Sequence, residues 1–179
     1  NANQKRPSSV AFNNDGTKMF ITGNHKGGNP QSIHEYTLDN AFVITSGGTH
    51  VIEVQPDPQP DHVDGIVFNY DGTKMYKTDS VANEIRQFEL TTAFSIATLS
   101  LQGTLDLSTY GIEGGRETVF SSDGSKMFVI DQAEVVFEFN LINDEIRSIN
   151  VNAFSLQKDP RTKQEKQDIQ NKKVEEIEI

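Results

Sequence analysis

The segment Phe12-Asn13-Asn14-Asp15-Gly16-Thr17-Lys18-Met19-Phe20 returns twice in this chain. The copies are Phe68-Asn69-Tyr70-Asp71-Gly72-Thr73-Lys74-Met75-Tyr76 and Phe120-Ser121-Ser122-Asp123-Gly124-Ser125-Lys126-Met127-Phe128. Their Asp-Gly pairs lie 56 residues apart (71 − 15) and then 52 (123 − 71), a period that belongs to propellers, solenoids or arrays. Each copy continues in the same order, with a short β-rich stretch (Ile21-Thr22, Lys77-Thr78, Val129-Ile130), a polar loop and an alternating strand. Those strands run through Ile33-His34-Glu35-Tyr36, Ile85-Arg86-Gln87-Phe88 and Val136-Phe137-Glu138-Phe139, mostly with a period of two. An Ala-Phe turn follows in the first two copies (Ala41-Phe42, Ala93-Phe94), and then a fourth strand.

Four short strands in a repeat of about fifty residues describe a propeller blade better than a helical array. Asp-Gly supplies the positive dihedrals of a tight hairpin between the first two strands. Lys18, Lys74 and Lys126 are expected on the exposed side, with the following Met and aromatic packed between neighbouring sheets. This order of parts resembles a family of bacterial and phage β-propeller repeats related to the YVTN type. Its repeats read roughly Gly-x-x-Phe-x-x-Asp-Gly-Thr-Lys-Met-Tyr, then a Tyr-x-Leu-Ser/Thr strand and an Ala-Phe-Asp-Ile-like turn. The resemblance covers about residues 7–141, through 64–76, 87–96, 103–128 and a weaker first copy at 8–44. It implies an all-β propeller-type fold of three four-stranded blades, at about 7–54, 64–105 and 116–157. For function it leaves scaffold, binder and enzyme open, since propellers serve as all three.

Two departures stand out. After Leu141 the third copy loses the Ala-Phe turn, and a remnant, Asn152-Ala153-Phe154-Ser155-Leu156, comes only eleven residues later. Three blades are also fewer than the four to eight of a closed ring. Further blades from a longer chain or from other subunits are therefore expected. Residues 158–179 form a polar tail or connector, a helix starting at Asp159-Pro160 or an edge strand at Glu176-Ile177-Glu178-Ile179.

From Lys158 onward acids and bases balance, so the net charge of −10 resides in the first 157 residues. A surface of that sign repels phosphate backbones, which excludes non-specific nucleic-acid binding. Cysteine is absent, so disulfides, thiolate metal sites and a cysteine nucleophile are excluded. No apolar run approaches the roughly 18 residues of a membrane span.

With the first strand innermost, the loops after the second and fourth strands share one face, opposite the Asp-Gly hairpins. That places His62, Asp64, Asp79, Arg116, Glu117 and Asp131 as ligand-binding candidates. His62 and Asp64, two apart on an extended segment, form an acid–base or metal-ligand pair, or else a capped blade junction. Arg116 and Glu117 read as an ion pair lining the channel. Asp79 and Asp131 end equivalent strands and suit either calcium or turn capping. No nucleophile elbow, zinc-helix or dinucleotide signature is present, and no catalytic residue, metal or cofactor is assigned.

The leading expectation is therefore a non-enzymatic binding or scaffold module, an adhesin or phage fibre or tail propeller, on a cell surface, on a virion or outside the cell. Its ligand would be protein or glycan on one propeller face, with Tyr70 and Tyr110 as the stacking candidates. A lactonase-type propeller hydrolase with a channel metal is one alternative, and a structural subunit of a larger assembly is another.

Overall fold

In a computed structural model, residues 4–25, 31–56, 62–141 and 151–155 are described. The tail expectation lies outside them. Twelve strands form three four-stranded antiparallel sheets among these residues. The first holds β1 (Gln4–Phe12), β2 (Lys18–His25), β3 (Gln31–Leu38) and β4 (Gly48–Val54). The second holds β5 (Gly65–Phe68), β6 (Lys74–Asp79), β7 (Glu84–Leu90) and β8 (Leu99–Asp106). The third holds β9 (Glu117–Phe120), β10 (Lys126–Ile130), β11 (Val135–Asn140) and β12 (Val151–Ser155). Each is a meander in chain order, the arrangement of a propeller blade. First strands lie against first strands, β1 on β5 and β5 on β9, so these three are innermost.

The repeated motif builds the same hairpin three times. Gly16, Gly72 and Gly124 sit at φ of 70°, 73° and 70°, the left-handed region that glycine occupies without a Cβ penalty. Asp15 Oδ1 accepts from the Thr17 N–H at 3.0 Å, Asp71 from Thr73 at 2.9 Å and Asp123 from Ser125 at 3.1 Å. The Thr17 and Thr73 hydroxyls, followed by these backbone bonds, hold the Asp15 and Asp71 carboxyls below the usual carboxylate range; the Ser121 hydroxyl, then the Ser125 backbone and hydroxyl, bring Asp123 down to about 2. The three aspartates are thus committed to their turns.

Neighbouring residues of a strand face opposite sides, and the Met-aromatic pair exploits that. Met75 joins Phe20, Ile33, Ile66 and Phe88 between the first and second sheets, while Tyr76 joins Met127, Val129 and Phe139 between the second and third. Phe20 stacks tilted on Phe68 at 4.6 Å and Tyr76 on Phe120 at 4.5 Å. Each such side chain, fully buried, is worth about 1.5–3 kcal/mol.

Two local expectations are corrected. The lysine after Gly-Thr is not a solvated side chain in the first copy: Lys18 Nζ bonds Glu35 Oε1 at 2.8 Å and donates to the Phe94 carbonyl of the next blade at 2.7 Å. Ala153-Phe154 is no turn remnant. It lies in β12, with Phe154 opposite Val136. His50 lies in β4 opposite Tyr36.

Candidate functional site

The three innermost strands present an open groove of about 600 Å³, running over Ser9, Val10, Ile66, Phe68, Glu117 and Thr118 among others. At its loop end the entries of β5 and β9 meet, because Asp64 N–H bonds the Thr78 carbonyl and Arg116 N–H bonds that of Ile130. Each first strand is thereby registered on its second, and residue 64 of one blade comes beside residue 116 of the next.

Asp64, Arg116 and Glu117 are brought together there. Arg116 Nη1 lies 3.6 Å from Asp64 Oδ1, so the ion pair across the blade interface joins these two, with Arg116 alternating to the opposite side of the strand from Glu117. Asp64 Oδ2 also accepts from the Ser80 N–H at 2.7 Å, which fixes the carboxylate. Glu117 rests on Gly65: a Cβ on that glycine would meet Glu117 Oε1 at 2.7 Å. Burial pushes the Glu117 carboxyl up; a bond from the Thr118 backbone opposes this, and the Asp64 charge adds to it. The result is a half-buried carboxyl with a raised pKa at the edge of a groove, beside a blade junction held by the Asp64–Arg116 ion pair.

The remaining candidates stand differently. Asp79 is fully buried, and its Oδ1 accepts from the Val81 and Ala82 N–H groups at 2.9 and 2.8 Å. Asp131 Oδ1 accepts from Ala133 and Val135 at 2.8 and 2.9 Å. Both carboxylates hold the turns that follow their strands. His62 is half-buried, and its neighbour Val63 is buried at the junction, where the Val63 carbonyl accepts from Ser8 Oγ at 2.6 Å. Tyr70 is 81% exposed, whereas Tyr110 packs edge-on to Phe139 at 5.4 Å and its hydroxyl is pushed up by burial. Of the two stacking candidates, Tyr70 keeps a free face.

Several structural residues escaped the sequence. Asn83, at φ 57°, pins the link between the second and third blades: its Oδ1 accepts from Gly114 at 2.9 Å and its Nδ2 donates to Ile112 at 2.7 Å. Lys77 is fully buried with Asp79, Nζ to Oδ2 3.5 Å, at a position where the other copies have Ile21 and Val129. Away from the groove, Ser32 Oγ, His34 and His50 form a chain with links of 3.0 and 3.1 Å. The alternation of β3 put Ser32 and His34 on one face, but the pairing with His50 needed the β3–β4 register. Among the described residues, no three His, Cys, Asp or Glu side chains stand close enough to hold a metal ion, and no helix is long and apolar enough to cross a membrane.

The sequence matches no family model and no curated protein. Among solved structures it is similar to a candidate 6-phosphogluconolactonase from Bacteroides uniformis, with TM-score 0.60 and 16% identity over 87% of this chain and 43% of that one. A second, from Bacteroides fragilis, gives TM-score 0.55 and 18% identity over 76% and 35%. Chaetomium thermophilum Sqt1 bound to the N-terminus of ribosomal protein L10 gives TM-score 0.50 and 14% identity over 83% and 43%. At these identities the likeness shows the fold, a propeller type. The chain spans less than half the length of each of these structures.

Proposed function

We propose that these blades carry the working face of a lactonase-type propeller hydrolase, acting on an uncharged sugar lactone held in the inner groove. The observation that carries this reading is Glu117: a carboxyl raised by burial and by the Asp64 charge, lining the groove at the junction where Asp64 pairs with Arg116. A carboxyl raised by burial is a stronger base than an ordinary glutamate, and it can take and then return the proton that ring opening requires. In the ionised form Glu117 accepts a proton from water as the water oxygen attacks the lactone carbonyl carbon. Arg116 stabilises the oxyanion, and Asp64 holds the guanidinium in place. The ring C–O bond then breaks, and the leaving alkoxide takes the proton back from Glu117, giving the hydroxy acid. Two carboxylates with no third donor among the described residues make a poor metal site, so no step is routed through a metal. One guanidinium already paired with Asp64 is likewise a poor phosphate cradle, hence the uncharged substrate.

The test is lactone hydrolysis followed by pH-stat with glucono-δ-lactone, corrected for spontaneous opening. Acceleration by the wild type, reduced at least 100-fold in Glu117→Gln with an unchanged circular dichroism spectrum, supports the reading. Wild-type rates equal to the spontaneous one refute it.

A second reading keeps the fold as a binding module without chemistry, at a cell or virion surface or elsewhere. Exposed Tyr70 favours it, standing at a second groove of about 370 Å³ between the first strands of the second and third blades. The Sqt1 neighbour, bound to the N-terminus of ribosomal protein L10, makes a peptide the ligand class. Peptide binding lost in Tyr70→Ala, without lactone opening, would select this reading.

A further inference from the structure

The three blades share one level of the inner groove. Counting seven residues back from the hairpin glycines Gly16, Gly72 and Gly124 gives Ser9, Gly65 and Glu117. Ser9 and Glu117 line the groove, and Gly65 stands buried on β5, the strand between theirs.

Two ordinary reasons for a glycine fail at this position. The φ of Gly65 lies outside the left-handed region that the hairpin glycines occupy, so its backbone accepts an L side chain. The level accepts one as well, since β1 carries Ser9 there. What stands in the way is one group. A Cβ at 65 would meet Glu117 Oε1 at 2.7 Å and Glu117 Cδ at 3.1 Å, with the Arg116 carbonyl oxygen next at 3.3 Å. The two closest atoms belong to the carboxyl itself. The space beside β5 where a side chain would stand is filled by the next blade's carboxyl.

That contact has an electrostatic consequence. A carboxyl lying against a Cα gives up part of its hydration, and burial is the largest cause of the raised Glu117 pKa. Asp64, next to Gly65 in the chain, adds its charge, while Arg116 is paired with Asp64.

We infer that Gly65 is a positioning residue of this site: the side chain it lacks leaves the recess that holds the Glu117 carboxyl against β5 at the edge of the groove. Gly65 need not touch a substrate. It acts through Glu117, by fixing where the carboxyl stands and by keeping water from one side of it. The consequence for catalysis rests on the lactone reading; the recess does not. A methyl group at 65 expels the carboxyl rather than the fold, because the end of a glutamate side chain can move to another rotamer. Once displaced, the carboxyl regains water, becomes a weaker base and leaves the place from which it takes the proton.

Gly65→Ala tests this. Gly103→Ala is the control for adding a methyl to a strand of the same sheet, since nothing lies within 4 Å of a Cβ there. Both should keep the wild-type circular dichroism spectrum. In a carbon-detected NMR titration the Glu117 pKa should fall towards the ordinary glutamate range in Gly65→Ala and keep its wild-type value in Gly103→Ala. In the pH-stat assay with glucono-δ-lactone, the rate above spontaneous opening should drop about tenfold or more in Gly65→Ala. The acid limb of its rate profile should move to lower pH, because the ionised carboxyl is the base and its pKa has fallen. An unmoved Glu117 titration in Gly65→Ala, or an equal shift in Gly103→Ala, overturns the inference whether or not lactone is opened. A lowered pKa in Gly65→Ala beside a wild type that opens no lactone supports the recess and refutes the chemistry alone. Should Gly65→Ala not fold, Gly65→Ala/Glu117→Ala should, since the obstructing carboxyl is gone; failure of both to fold overturns the recess.

Discussion

Gly72→Ala should be far more damaging than its backbone conformation alone requires. Gly72 sits at φ 73° and Gly111 at φ 71°, so alanine at either position is forced into the left-handed region, costing about 1–2 kcal/mol. Around Gly111 nothing lies within 4 Å of the added Cβ, whereas at Gly72 it would fall 2.2 Å from Phe94 Cδ2. The ring must leave its seat, strain its backbone bond to Gly72 and give up its packing on Phe68 at 5.4 Å. Overpacking of this kind adds about 1–3 kcal/mol. The expected losses are about 1–2 kcal/mol for Gly111→Ala and about 2–5 kcal/mol for Gly72→Ala. Urea denaturation with linear extrapolation measures both, and the melting temperatures should differ by roughly 4–8 °C. In a Phe94→Ala background the excess at Gly72 should vanish, since no ring remains to displace. Equal losses at the two glycines, or an excess that survives without Phe94, would refute the seat as the link between hairpin and turn.

Glu35→Ala removes a buried carboxylate that accepts from Lys18 and from the Ile96 N–H; it should cost about 3 kcal/mol in the same assay, much of it from the donors left behind. Asn83→Ala loses two bonds to the link between the blades, and hydrogen exchange at Gly114 should accelerate at least tenfold before the rest of the sheet is affected. Acid stability should follow the turn aspartates. The folded pKa values of Asp15, Asp71, Asp106 and Asp123 are lowered, so their contribution is present above the ordinary carboxylate range and lost as pH falls, for Asp123 through about 2. Asp123→Asn should flatten the fall of the urea midpoint between pH about 4 and about 2. Glu117 has the opposite sign: its folded pKa is raised, so stability declines as pH rises past the ordinary carboxyl value, and Glu117→Gln should remove that decline.

The blade pattern was legible because hairpins are local. Asp-Gly, Met-aromatic and the alternating strand each act within a few residues of themselves, and three copies reinforce one another. What the sequence concealed depends on contacts between copies. Lys18 reads as a surface lysine until Glu35 and the Phe94 carbonyl are placed beside it. The Ala-Phe turns are legible in the repeat, but not that Phe42 and Phe94 take a positive φ that aromatic residues avoid and seat on the hairpin glycines. Ala153-Phe154 repeats the turn's dipeptide but pairs as a strand, because register rather than composition decides its place. The site divides similarly. Asp64, Arg116 and Glu117 were located by their position at the inner strand entries, yet which carboxylate Arg116 meets follows from strand alternation across the blade junction. The groove itself is made by three strands from three blades, and no single segment announces it.

The account rests most heavily on Glu117 being a working carboxyl held in a raised state by burial and by Asp64. A carbon-detected NMR titration of the Glu117 side-chain carboxyl, in the wild type and in Asp64→Asn, measures this directly. The expected titration lies above the ordinary glutamate range and shifts downward when the Asp64 charge is removed. An ordinary value in the wild type, or no shift in Asp64→Asn, would contradict it and leave the cluster a structural ion pair.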